Sequence, residues 1–247
     1  MDTPKVVLVT GAGRRIGAAI AQVLHAAGWN VVLHANQSYD EVCTLAEALN
    51  AQRPASAHAD RADLLDPMAI EALVREAYGC WQRLDALVNN ASTFFQTPLG
   101  TIKPEQFDEL IGSNLKAPLL LTQACVSRMD ASGGAVVNLL DVHARKPQRG
   151  YAAYTAAKAG LWALTEALAL ELAPRVRVNG VAPGHMLWPE AEAALSARQQ
   201  HAELARIPLG RLGGAEAIAE AVRFLLSDEA AYLTGAVLPV DGGLRLA

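Results

Sequence analysis

The chain has 247 residues, and at roughly 150 residues per domain that length allows one large domain or two small ones. Apolar residues make up 52% and charged residues 19%, which excludes disorder as the main state and supplies a sizeable core. Net charge is −4, from 21 basic and 25 acidic side chains, so the basic surplus of a nucleic-acid binder is missing.

Three cysteines, Cys43, Cys80 and Cys125, are odd in number and far apart. They fit neither a disulfide framework nor a zinc site and suit a reducing compartment. The apolar run from Val6 to Val9 is too short for a secretion signal, and no stretch approaches the roughly 20 apolar residues of a membrane span. A cytoplasmic protein with neither nucleic-acid nor membrane partners is expected.

Short branched-apolar runs alternate with helical patterns. Lys5 to Val9 reads as a buried strand, and Ile16 to Ala27 as a helix ended by Gly28. Asn30 to His34 is the second strand, followed by a helix over Asp40 to Gln52 with Asp40 as its cap. Ala55 to Ala59 is a weaker third strand, Pro67 to Trp81 a helix, and Leu84 to Val88 a fourth strand. Pro104 to Met129 reads as one long helix broken near Pro118, and Gly134 to Leu140 as the fifth strand. Tyr151 to Ala173 is helical, Arg175 to Val181 the sixth strand, Ala215 to Ser227 a helix, and Ala236 to Pro239 a last strand.

This alternation predicts an α/β, Rossmann-type doubly wound fold, a parallel sheet of about seven strands covered by helices on both faces. No linker or repeat divides residues 1–247, so a single domain is expected. The one irregular excursion, Gly184 to Pro208, leaves the carboxyl edge of the sheet and is a candidate substrate lid.

Thr10 to Gly17 (TGAGRRIG) lies between the first strand and the first helix, with glycines spaced GxGxxxG. In that context Gly11 and the amides through Arg14, Arg15 and Ile16 can hold a pyrophosphate at a helix start. A purely structural turn is the plainer alternative. The second strand runs out through His34, Asn36 and Ser38 with no acid before Asp40. An acid there would bind a ribose 2′-hydroxyl and repel a 2′-phosphate. Neutral donors at His34, Asn36 and Ser38, beside Arg14 and Arg15, therefore favour NADPH, unless this is only a polar turn with surface arginines.

Tyr154 and Lys158 share a helix face by their spacing. An ammonium beside the phenol is expected to depress its pKa from about 10 and make Tyr154 a proton donor near neutral pH. An ordinary helix carrying a half-buried tyrosine is the alternative. His143 and His185 have no partners at metal-ligand spacing, so no metal is assigned.

TGAGRRIG, Asn89-Asn90-Ala91 after the fourth strand, Asn114 in the long helix, Tyr154-x-x-x-Lys158 and Pro183-Gly184 occur in this order. Together they resemble the short-chain dehydrogenase/reductase family over nearly the whole chain. Two positions depart from its common pattern. Arg15 replaces the middle glycine, and Asp141 stands where most members carry a catalytic serine, thirteen residues before the tyrosine. With Asn89 to Phe94 (NNASTF) and Leu33 to Ser38 (LHANQS), these departures resemble the pteridine reductases, bacterial pteridine and dihydromonapterin reductases included.

The resemblance implies that Asn114, Tyr154 and Lys158 form a proton relay, with Lys158 on the nicotinamide ribose and Asn114 supporting a water chain. It implies cofactor contacts from Leu64, Asn90, Ala91, Ser92, Pro183 and Gly184, and an adenine contact from Asp63, with Asp60 as a rival. Phe94 would sandwich a flat pterin against the nicotinamide, while Arg15 and Ser92 reach both cofactor and substrate. Asp141 and Tyr154 would together protonate a ring nitrogen as hydride reaches the adjacent carbon, a task for a carboxylic acid kept neutral by partial burial. A mere loop cap at Asp141 is the competing role.

Tyr151 corresponds to a second active-site tyrosine, and Trp188 either stacks on substrate or anchors the lid. The family also implies a homotetramer, and Asp241 to Ala247 resembles a tail that approaches a neighbour's site, although it is shorter here. Three readings follow: NADPH-dependent reduction of pterins (biopterin, dihydropterin, dihydromonapterin or folates), ketone reduction of the 3-oxoacyl carrier-protein type, and a non-catalytic NADPH-binding sensor or scaffold. Asp141 in place of serine weighs against the second, and the retained Asn114, Tyr154 and Lys158 weigh against the third.

Overall fold

The computed structural model describes residues 3–129, 133–188 and 196–247. Strands β1 (Val6–Thr10), β2 (Asn30–Ala35), β3 (Ala57–Arg61), β4 (Ala86–Asn89), β5 (Gly134–Leu139), β6 (Val176–Pro183) and β7 (Val237–Val240) make one parallel sheet. Its order is β3-β2-β1-β4-β5-β6-β7, with Leu8 of β1 registered between Val32 and Leu87. The helices are α1 (Arg15–Ala26), α2 (Tyr39–Gln52), α3 (Pro67–Trp81), α4 (Pro104–Ile111), α5 (Ala117–Val126), α6 (Ala152–Leu172), α7 (Ala197–Ala205) and α8 (Ala215–Leu226).

The two faces of the sheet follow from the period-two alternation of the strands. Val7, Val9, Val31 and Val137 pack with Ile20 and Leu24 of α1, Val42 of α2, and Ile218 and Leu225 of α8. Leu8, Val32, Leu87 and Val136 face the other way, onto Ile70 and Leu73 of α3, Leu121 of α5 and Leu168 of α6. Each fully buried leucine or isoleucine here contributes about 1.5–3 kcal/mol. Strand order reverses between β1 and β4, which opens a crevice at the carboxyl ends of the strands.

Several expected boundaries move, each for a local reason. The third strand starts at Ala57 rather than Ala55, because Ala55 adopts a φ of +54° and the Asn50 side chain accepts from the Ser56 and Ala57 amides. The long helix breaks at a π turn over Gly112–Lys116, not at Pro118. The Asn114 amide takes the Leu110 carbonyl, displacing the regular ladder, while Pro118 sits in the first turn of α5, where its missing N–H costs little. Asp40 is not the cap of α2; Ser38 holds that position, and Asp40 and Glu41 lie inside the first turn.

Residues 189–195 of the expected lid lie outside the described residues. Its described part holds α7, which the reading above did not anticipate although Ser196 and Gln199 form a capping box. Among the described residues no helix is long and apolar enough to cross a membrane.

Candidate active site

The glycine turn after β1 is built to approach something closely. Gly11 has a φ of +64°, and a Cβ on Gly17 would sit 2.0 Å from the Gly11 carbonyl oxygen. A Cβ on Gly13 would meet the Ser38 hydroxyl at 2.5 Å. The Asn90 side-chain amide donates to the Thr10 and Gly11 carbonyls, at 2.9 and 3.0 Å. The amides of Asn90 and Ala91 both donate to the Thr10 hydroxyl at 3.0 Å. These bonds sew the end of β4 to the turn and leave the first amides of α1 without a side-chain cap or an acidic neighbour in that turn. Uncapped helix-start amides beside small residues suit a pyrophosphate, so the residues present fit a dinucleotide.

The neighbouring polar residues divide. Asn36 and Ser38 stay half-exposed past the end of β2. His34, expected as a phosphate donor, is corrected by its burial: it is 2% exposed, accepts from the Gly11 amide and meets the Ala62 carbonyl at 3.1 Å. Burial pushes its pKa down to about 4, so it is a neutral brace rather than a ligand. Arg14 is turned onto Glu41, an acid in the first turn of α2. The Arg15 guanidinium donates to the Trp188 carbonyl from both terminal nitrogens at 3.3 Å, joining the turn to the start of the lid. Asp63 is exposed and accepts from the Leu65 amide. Asp60 is half-buried within β3, and Leu64 and Ile16 pack on the apolar layers. Pro183 ends β6, and a Cβ on Gly184 would meet the Asp241 backbone at 2.8 Å.

At the ends of β4 and β5 the chemistry converges. Asp141 follows β5, where its Oδ1 caps a short turn by accepting from the His143 amide at 2.8 Å. Its Oδ2 accepts from the Tyr154 hydroxyl at 2.9 Å, so the cap and the tyrosine partner are one side chain. Lys158, one turn along α6, is 3% exposed and donates to the Leu139 carbonyl at 2.8 Å. Asn114 is fully buried in the π turn, accepts from Ser92 at 2.6 Å and donates to the Thr93 carbonyl at 3.0 Å.

One expectation is overturned here. Tyr154 is held well above its ordinary pKa, first by burial and then by the Asp141 carboxylate; the Ser92 hydroxyl offsets part of this. The Lys158 ammonium, bonded to the Leu139 carbonyl, does not reverse this. Burial also pulls the lysine itself down to about 8.

Phe94, 55% exposed, stacks on Tyr151 with 4.7 Å between centroids and meets Tyr154 edge-on at the same distance. The three rings make an aromatic wall beside the Asp141–Tyr154 pair. Sequence reasoning missed the buried ladder beneath it, in which Asn89 donates to Asn138 at 2.8 Å and Asn138 to Thr165 at 2.9 Å. The signal was present as polar residues inside apolar strands. Among the described residues no group of three or more His, Cys, Asp or Glu side chains could hold a metal ion.

A family model described as enoyl-(acyl carrier protein) reductase matches residues 11–245. The chain belongs to the short-chain dehydrogenase/reductase family. Pteridine reductase 1 of Leishmania tarentolae is 37% identical over 284 residues, covering 99% of this chain and 97% of that protein. The 3-oxoacyl-(acyl-carrier-protein) reductase FabG of Escherichia coli is 38% identical over 244 residues, covering 98% of each. An uncharacterized oxidoreductase of Mycobacterium tuberculosis is 37% identical over 243 residues, 97% of this chain and 92% of the relative. The protein is thus an oxidoreductase of a family that uses NAD(P)H, and the two named activities among its relatives are equally similar to it.

Proposed function

We propose that this oxidoreductase reduces pterins with NADPH. The observation that carries the reading is Asp141, bonded to Tyr154 at the position where a ketone reductase of this family presents a serine. A hydroxyl there donates to a carbonyl oxygen, whereas an ionised carboxylate only accepts. A pterin ring nitrogen needs a proton instead, and a phenol held by a carboxylate is suited to supply one.

When bound, NADPH supplies the hydride. Gly11, Arg14, Arg15, Ile16, Asn36, Ser38, Asn90, Ala91, Pro183 and Gly184 would hold it; Asp63, exposed at the end of β3, would meet the adenine. Tyr154 keeps its proton at neutral pH and delivers it within the site, while Asp141 orients the phenol by accepting its hydrogen bond. Lys158, Ser92 and Asn114 lie behind Tyr154 as the route by which that proton is replaced. Phe94 offers its open face to a flat ring, and Arg15 and Trp188 frame the rim.

The experiment is initial-rate NADPH oxidation by the purified protein with biopterin, dihydrobiopterin, dihydromonapterin, folate and dihydrofolate, against an acetoacetyl ester. Turnover of one or more pterins above the ester is expected. Ester turnover with silence on every pterin would replace this reading with 3-oxoacyl reduction, which the likeness to FabG favours.

A further inference from the structure

The turn that carries Asp141 is tied to the far end of the chain by one lysine. Lys146 donates from its ammonium to the Leu244 carbonyl at 3.1 Å and also bonds the Ala247 carbonyl oxygen. Its own carbonyl meets the His143 imidazole Nδ1 at 2.9 Å, and its amide closes the turn on the Val142 carbonyl at 3.0 Å. The His143 amide in turn donates to Asp141 Oδ1.

At the other end, Leu244 sits in a short turn organised by Asp241, whose side chain is 3% exposed. Asp241 accepts from the Gly243 and Arg245 amides, at 3.0 and 2.9 Å, and pairs with the Arg245 guanidinium at 3.0 Å. The backbone of Asp241 lies against Gly184, so this anchor rests on the ends of β6 and β7. A continuous hydrogen-bonded path therefore runs from the buried Asp241 through Leu244, Lys146 and His143 to the carboxylate that holds Tyr154.

We infer that Lys146 is a positioning residue for Asp141, acting through the His143 turn, with Asp241 and the segment 241–245 as its anchor. The inference rests on the role given to Asp141 above. A capping carboxylate can face Tyr154 only if the amide it caps is fixed. That amide belongs to a turn that is otherwise held to α6, through Val142 in the core beside Leu161 and through Arg145, which lies over Trp162 and pairs with Glu166. The lysine adds the tie on the other side, to the turn that follows β7.

Loosening a reacting group by an ångström costs about ten- to a hundredfold in rate. Lys146→Met should therefore lower kcat at least about tenfold while leaving KM for NADPH within about twofold, since Lys146 is remote from the glycine turn. Lys146→Arg, which still donates to the Leu244 carbonyl, should recover most of kcat. Amide exchange gives a readout free of turnover: the His143 N–H should lose protection in Lys146→Met and keep it in Lys146→Arg.

Wild-type kcat and an equally protected His143 amide in Lys146→Met would overturn the inference. So would an arginine variant as impaired as the methionine one. If Lys146→Met is too unstable to assay, Asp241→Asn loosens the same path from its other end and is read the same way. A wild-type enzyme silent on pterins would defeat the proposed function alone, and exchange at His143 would still decide this one.

Discussion

At the scale of single residues, the site works because Asp141 is asked to do two things at once. One oxygen caps the turn after β5 and the other accepts from Tyr154, so the carboxylate cannot rotate without breaking a bond. Tyr154 is buried beside that negative charge, which makes the phenol a reluctant acid and keeps its proton available for transfer near neutrality.

Arg15 shows the cost of a functional side chain. Its φ of +53° is a left-handed conformation that glycine adopts freely, and a larger residue pays about 1–2 kcal/mol to hold it. Arg15→Gly should therefore melt no lower than the wild type, and by up to several degrees higher, in a thermal scan. The same variant should lose pterin turnover, because the guanidinium that reaches Trp188 and the rim is gone. A lower melting temperature together with full turnover would count against both halves of that expectation.

Among elements, the brace between β1, β2 and β3 has a pH signature. His34 is neutral in the fold, accepting from the turn after β1 and meeting the residue after β3, with its pKa pushed down to about 4 by burial. The unfolded chain binds that proton near pH 6.5, so the unfolded state holds more protons between pH 6.5 and 4. Stability should fall as pH drops through this window, by on the order of 3 kcal/mol if this group acts alone. His34→Gln should flatten that limb of a chemical-denaturation series, and an unchanged slope would remove His34 as its source.

The same residue marks what a sequence can and cannot disclose. Strand and helix order was legible because apolar period two and helical period three to four alternate without ambiguity, as from Val7 and Val9 to Ile20 and Leu24. The spacing of Tyr154 and Lys158 and the position of Asp141 were legible for the same reason, being local. The inward turn of His34, the turning of Arg14 onto Glu41, and the burial of Tyr154 beside Asp141 that raises its pKa were not. Each depends on a contact between distant segments or on burial, which spacing alone does not specify. The π turn at Asn114 lay between: it needed the knowledge that a side-chain amide would take the Leu110 carbonyl.

For the molecule as a whole, the reversal of strand order at β1 and β4 places the glycine turn, the Asn90 stitch and the Asp141–Tyr154 pair along one edge of the sheet. Phe107 on α4, Leu119 on α5 and Leu170 on α6 are exposed. From the resemblance to the family we propose that the protein assembles as a homotetramer, to which these side chains are available. Light scattering on the eluting peak should report about four times the 26.1 kDa of one chain, and a monomer peak at micromolar concentration would contradict it.

The measurement that bears most directly on the central claim compares the wild type with Asp141→Ser in one assay, following NADPH oxidation with a dihydropterin and with an acetoacetyl ester. Pterin kcat/KM should fall about a hundredfold or more in the variant, the scale of a misplaced general acid, while ester turnover stays level or rises. Pterin turnover that survives the serine undiminished would contradict the role given to Asp141 in holding Tyr154 for proton delivery.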